Sequence, residues 1–181
     1  MNKTKNKIAN AFLILLDSKG DDQITNNEII ENAGISKGTF YNNFDSQQAI
    51  AHFIFHEIDS KIIHAIIEQR TTLMVSNSAD LLLKCVADAT IPAIYNQREK
   101  IRILYKSSIN GEWKHYLEGK YLKTINRFTE VLNLNQQSLP LILKFGLDII
   151  ELWITSPLPT PPEEFIDQFC HLFKIPLISI L

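Results

Sequence analysis

Much that would define a familiar chemistry is missing from this chain. Only two cysteines occur, Cys85 and Cys170. They cannot build a framework of disulfides, and a reducing, cytoplasmic setting fits. Six glycines in 181 residues, with no sustained alternation of polar and apolar positions, argue against a sheet protein. There is no phosphate-binding loop, no dinucleotide glycine pattern and no G-x-S-x-G elbow. No segment approaches the roughly 18 consecutive apolar residues of a membrane span. The basic stretch Met1–Lys7 before apolar Ile8–Leu16 resembles a secretory leader only superficially. Asn10 interrupts it, Asp17 follows it, and no A-x-A cleavage pattern appears. A formal net charge of −2 gives no compositional sign of nucleic-acid binding.

What is present is helical periodicity, enough for an all-α protein. Ile8, Phe12, Leu15 and Leu16 mark one face of a first helix, which is expected to stop near Gly20. Thr25 and Glu28 form the S/T-x-x-E capping box of a second helix, and Ile24 and Ile29 sit at hydrophobic-staple positions. That helix should end at Gly34 in a left-handed stop. Ser36 caps a short third helix, with Ile35 and Phe40 as its staple. Asp45 or Ser46 can cap a fourth, long helix reaching about residue 71. After a break at "TLMVSNS", helices are expected near 78–95, 98–108, 111–133, 138–155 and 161–174, with Pro92 kinking or ending the first of these. "SPLPTPP", residues 156–162, must be a loop. The expected organisation is a three-helix unit at 1–46 and a larger helical bundle at 47–181.

Two short helices joined by a tight glycine-containing turn match the helix-turn-helix pattern. Its second helix must lie in a major groove about 12 Å wide. On a helical wheel, Phe40 and Phe44 face the core. Opposite them lie Gly38 and Asn42, flanked by Thr39 and Tyr41, with no acid among them. Gly38 removes a side chain where a DNA backbone would approach. Thr39 suits a phosphate or a thymine methyl, Asn42 has the amide geometry for adenine, and Tyr41 can donate to phosphate. Lys37 lies near the core side of the wheel but is long enough to swing outward. N–H groups at the starts of the second, third and fourth helices add phosphate-binding capacity.

Residues 8–55, and above all "AGISKGTFYNNF", resemble the DNA-binding domain of the TetR family of transcriptional regulators. The resemblance implies recognition-helix contacts from Lys37, Thr39, Tyr41 and Asn42 and a phosphate contact from Thr25. With Ser36 and Gly38 these complete the expected DNA face. One departure stands out. The family often carries a lysine at the start of the fourth helix, where this chain has Asp45, Ser46, Gln47 and Gln48. Within residues 1–56 the lysines are Lys3, Lys5, Lys7, Lys19 and Lys37, against acids Asp17, Asp21, Asp22, Glu28, Glu31 and Asp45. Attraction to DNA is expected from a basic arm, Lys3, Lys5 and Lys7, together with Lys37, and non-specific binding should be weak.

The resemblance also implies a C-terminal ligand-binding and dimerisation domain, and a homodimer on a palindromic operator, released by a small-molecule effector. Repression is the commoner behaviour of such proteins. The sequence supports a partner surface by itself. Helix 138–155 is apolar almost all round and must be buried on every side. Leu143, Leu147, Ile150 and Ile154, with Phe165, Phe169 and Leu172 of the next helix, are the expected interface, as in a four-helix contact across a two-fold axis. Intra-chain core is the competing explanation. Two recognition helices need a separation of about 34–36 Å, which the long fourth helix could control as a lever. Tyr95, Tyr105, Trp113, Tyr116, Phe128 and Phe145 are candidates for an apolar effector pocket, although each also suits ordinary core.

Other chemistry finds less support. His52 and His56 stand at i, i+4 beside Glu57, but without the H-E-x-x-H pattern or an evident third ligand, so no metal is expected. Cys170 and His171 are adjacent and point to different sides of a helix, which does not suit a catalytic pair. No cofactor, enzymatic activity or membrane partner is expected. The alternative to a regulator is a helical sensor or interaction module that keeps the fold without strong DNA binding.

Overall fold

The computed structural model describes residues 3–19, 23–68, 79–125 and 137–180. Among them the secondary structure is all helical, as the periodicity requires. The helices are α1 (Lys3–Lys19), α2 (Asn26–Ala33), α3 (Lys37–Tyr41), α4 (Gln47–Glu68) and α5 (Ala79–Tyr95). They continue with α6 (Arg98–Lys106), α7 (Asn110–Ile125), α8 (Leu139–Thr155) and α9 (Pro162–Ile180). The expected stop at Gly20, the break at 72–78, the last residues assigned to the fourth helix and to helix 111–133, and Phe128 lie outside the described residues.

The local signals at α2–α4 act as their chemistry dictates. Thr25 accepts from the Glu28 backbone N–H, and the Glu28 carboxylate accepts from the Thr25 backbone N–H at 2.8 Å, which completes the capping box. Both staple residues, Ile24 and Ile29, are buried. α2 closes in a Schellman turn. Gly34 takes φ +55°, its N–H donates to Glu31 O, and the Ile35 N–H donates to Ile30 O. Ser36 caps α3 by accepting from the Thr39 N–H at 3.1 Å. Of the two possible caps for α4, Ser46 is used, accepting from the Ala49 N–H. α3 itself spans five residues, and i→i−4 bonding carries the turn on to Phe44.

Prolines interrupt the later helices less than their propensity suggests. α5 continues one turn past Pro92 and ends with Asn96 N–H donating to the Pro92 carbonyl at 2.9 Å. Pro92 costs the helix one internal donor yet still serves as an acceptor. α9 begins after Pro161, whose carbonyl accepts from the Phe165 N–H, with Glu163 and Glu164 in the first turn. It runs past Pro176 to Ile180, longer than the expected 161–174.

Two compact units emerge. The first takes Met1–Asp59 and Glu99–Lys114, and the second Ser60–Arg98 and His115–Leu181. In the first, Ile8, Phe12 and Leu16 of α1 form a fully buried core with Ile29, Phe40, Ile50, Phe55, Leu104 and Trp113. Arg102 on α6 bonds Asp17 on α1 at 3.1 Å. In the second, α5 packs on α9. Trp153 lies flat on Phe165 at 4.0 Å, and Phe169 and Phe173 continue the aromatic row. The Trp153 indole N–H donates to the Thr160 carbonyl at 2.8 Å, fixing the loop before α9.

Gly34 is where the first unit depends on a missing side chain. Gly34→Ala should destabilise the protein by roughly 1–2 kcal/mol through left-handed strain, read as a lowered midpoint in urea or heat.

Candidate nucleic-acid interface

The geometry of α3 follows from its two phenylalanines. Phe40 has no accessible surface and Phe44 has 5%. With those rings held inward, Lys37, Gly38, Tyr41 and Asn42 are exposed and Thr39 is half-buried. A Cβ built on Gly38 would meet nothing closer than Ser36 Oγ at 3.9 Å, so the fold itself does not require glycine there. The Tyr41 ring packs edge-on against Phe40 at 5.2 Å and remains 45% exposed.

The hydroxyls beside this face are partly committed. Ser36 and Thr39 share a hydrogen bond at 2.8 Å. Thr25 donates its hydroxyl to Glu28 Oε2 at 2.9 Å as well as its backbone N–H, so both of its donors are directed into the cap. Lys19 reaches the other carboxylate oxygen at 2.6 Å. The hydrogen bond from Lys19, followed by those from the Thr25 backbone and hydroxyl, holds the Glu28 carboxyl well below the usual range, at about 2.

The lysines expected to form an arm are helical instead, because α1 begins at Lys3. Lys7 Nζ lies 3.4 Å from the Gly34 carbonyl, the acceptor end of the α2–α3 turn. Lys5 Nζ sits over the Phe44 and Phe53 rings at 5.3 and 5.9 Å. Positive charge therefore stabilises the turn and the start of α4.

Two residues absent from the sequence-based set belong to this surface, Asn26 and Gln47. Gln47 Nε2 donates to the Ile24 carbonyl at 2.9 Å and to Asn26 Oδ1 at 3.0 Å. Asn26 Nδ2 points at Tyr41 Oη, 3.5 Å away. The only sequence signal for Asn26 is a polar side chain in the first turn of α2, which Asn27 beside it shares.

No protein-family model and no curated protein matches this chain. A solved structure does, that of a proposed TetR-family transcriptional regulator from Syntrophomonas wolfei. The match has a TM-score of 0.73 at 17% identity and covers 100% of this chain and 98% of that one. The chain has the TetR-family fold.

Within the TetR fold the remaining candidates are dispersed. Tyr105 and Trp113 are core of the first unit, their rings 6.3 Å apart and Trp113 against Phe55. Tyr95, Tyr116 and Phe145 belong to the second, with Tyr95 stacked near Trp153 and Phe145 against Phe173. Two surface depressions, about 460 and 370 Å³, lie in the first unit and include none of these aromatics. Of the expected interface residues, Leu143, Ile154, Phe165 and Phe169 are buried inside the single chain, Leu147 and Ile150 are half-buried, and Leu172 is exposed. The apolar surface of α8 left open is Leu141 at 70% and Leu152 at 74%, with Phe145 beside them. Among the described residues, α8 is therefore buried on one side and open along another, and the all-round burial expected of it is not seen. Among the described residues no cluster of metal-ligating side chains occurs, and no helix is long and apolar enough to cross a membrane.

The depressed Glu28 pKa fixes a sign. Its contribution to stability is complete above about pH 4.5 and disappears as pH falls toward about 2. Over that interval the wild type should lose more stability than Glu28→Gln, measured as the difference between their denaturation midpoints at each pH.

Proposed function

We propose that this protein is a DNA-binding transcriptional regulator, a repressor in its commonest mode. It acts as a homodimer that sets α3 of each subunit into the major groove of a palindromic operator. Residues 1–46 read DNA, and residues 47–181 hold the dimer contact and the site for a small-molecule effector. The observation that carries this reading is the outward, acid-free face of α3, with Phe40 and Phe44 buried behind it. Lys37, Gly38, Thr39, Tyr41 and Asn42 present the contacts, while Thr25 and Ser36 serve chiefly by fixing the helix starts.

A specific observation keeps a second reading in play, namely a sensor with this fold and little DNA affinity. Lys19 is ion-paired with Glu28, and Lys7 lies on the Gly34 carbonyl, so neither cation is wholly at the disposal of DNA. Selection of bound duplexes from a random library, followed by mobility shift, separates the two. A regulator enriches a palindrome and loses affinity steeply with salt, with a log–log slope of roughly −0.9 per neutralised phosphate.

Gly38→Ala distinguishes contact surface from scaffold. Alanine fits the space and suits a helix better, so stability should hold or rise by roughly 0.5–1 kcal/mol. DNA affinity should fall, because the added methyl occupies the approaching face. Unchanged affinity would exclude Gly38 from the interface.

For the dimer, Leu141 and Leu152 offer an open apolar stripe on the side of α8 away from Leu147 and Ile150, which turn toward the buried face with Leu143 and Ile154. Leu152→Glu should convert a dimer to monomer in sedimentation and abolish palindrome binding while leaving helicity intact. A dimer that survives both Leu152→Glu and Leu141→Glu would place the contact elsewhere.

A further inference from the structure

Resting on the reading of α3 as the DNA-contacting helix, we infer that Gln47 and Asn26 are positioning residues that turn the Tyr41 hydroxyl proton outward, toward a phosphate oxygen.

The direction of each bond in this chain can be deduced. A backbone carbonyl only accepts, so the Gln47 atom 2.9 Å from Ile24 O is the amide nitrogen. That same nitrogen lies 3.0 Å from Asn26, so the Asn26 atom facing it is the acceptor, Oδ1. The other end of the Asn26 amide is then the NH₂ group, and it is this group that faces Tyr41 Oη at 3.5 Å. Tyr41 Oη therefore accepts from inside. A phenol has one proton, and with the inner position occupied by a donor, that proton is directed to solvent. Tyr41 is 45% exposed and stands on the outer face of α3. The 3.5 Å separation is long for a hydrogen bond, and a phosphate that draws on the Tyr41 proton would make Oη a better acceptor and tighten it.

This gives Gln47 a role that charge would not predict. It stands at the start of α4, in the stretch where the resembling family often has a lysine. Its amide points inward, to α2, and not to solvent. What the start of α4 loses as a cation it returns as an oriented neutral donor on α3. A carboxamide is suited to this because it donates from one end only, and the Ile24 carbonyl decides which end that is. Asn26 then passes the polarity on.

The probe is the duplex enriched from a random library by the wild-type protein, with melting temperature recorded for each variant. Tyr41→Phe should weaken binding by roughly three- to tenfold. Asn26→Ala and Gln47→Ala should each weaken it by a comparable factor in the wild-type background and by less than about twofold in the Tyr41→Phe background. That loss of effect is the sign of positioning, since a residue that merely supports the fold would weaken binding in both backgrounds. Gln47→Ala provides the same test should Asn26→Ala melt below the assay temperature. If Tyr41→Phe binds like wild type, or if the losses from Asn26→Ala and Gln47→Ala persist at full size beside Tyr41→Phe, the positioning proposal is overturned while the regulator reading stands. If the wild type enriches no duplex, the regulator reading falls, and the proposal with it.

Discussion

The burial of Phe40 governs the orientation of α3. A helix of five residues has no stability of its own in water, since nucleation is unfavourable and few hydrogen bonds repay it. Its rotation is therefore set from outside. Phe40 sits in a core built by α1, α2 and α4, and Phe44 anchors the following turn beneath Lys5. Fully burying one aromatic of this size is worth about 1.5–3 kcal/mol, more than the rest of α3 could contribute to its own orientation. Everything on the opposite side then has one place to point. A rotation of one residue, about 100°, would bring Tyr41 or Thr39 inward and expose a phenylalanine. The caps at Ser36 and Ser46 oppose such a slip by fixing where the helices on either side of the turn begin.

That anchoring also accounts for the modest charge. Lys5, Lys7 and Lys19 are directed to aromatic rings, a helix-terminal carbonyl and a carboxylate. Each stabilises the shape of the turn, and exposed pairs of this type contribute little individually. In the proposed DNA-binding role, recognition would depend less on long-range attraction than on hydrogen-bond geometry, through Tyr41, Asn42, Thr39 and the Gln47–Asn26 pair. Binding of that kind trades affinity at a distance for orientation on contact.

Local signals in the sequence translated directly into structure. The capping box at Thr25, the staples and the left-handed Gly34 each involve residues within five positions of one another, and their chemistry is decided by that spacing. The outward face of α3 was readable for the same reason, from period and residue type. What escaped was long-range. Nothing near Gln47 announces that its amide will reach Ile24 and Asn26, more than twenty positions away. Nothing in α6 announces that Arg102 will bond Asp17, or that Glu99–Lys114 will join the compact unit built by Met1–Asp59. That Lys3, Lys5 and Lys7 belong to α1 is not legible in charge pattern, which does not tell a helix from an extended segment. α8 was misjudged in detail because an all-round apolar helix has no polar face to show which side the chain itself will cover.

The burial pattern shows which side of α8 is left open. A Cβ at Gly146 would stand 3.0 Å from Phe173 Cζ, so the Phe173 ring of α9 lies against the α8 backbone on that side. Leu143, Trp153 and Ile154 are buried, and Phe165 of α9 stacks on Trp153. Leu141, Phe145 and Leu152 remain, spaced so that they fall along one open stripe with Asp148, which pairs with Lys144. A stripe that is apolar at both ends and carries one acid and one base near its middle is self-complementary under a two-fold axis. Antiparallel pairing about residues 146–147 sets Leu141 against the second Leu152 and each Lys144 near the second Asp148. Like-charged partners would be brought together by a parallel pairing, and the leucines would lose their counterparts if the helices slipped by one turn. In the proposed dimer the polar pair would thus supply register where leucines alone would supply only adhesion, which is why the outer stripe of α8 is the contact that the proposal names.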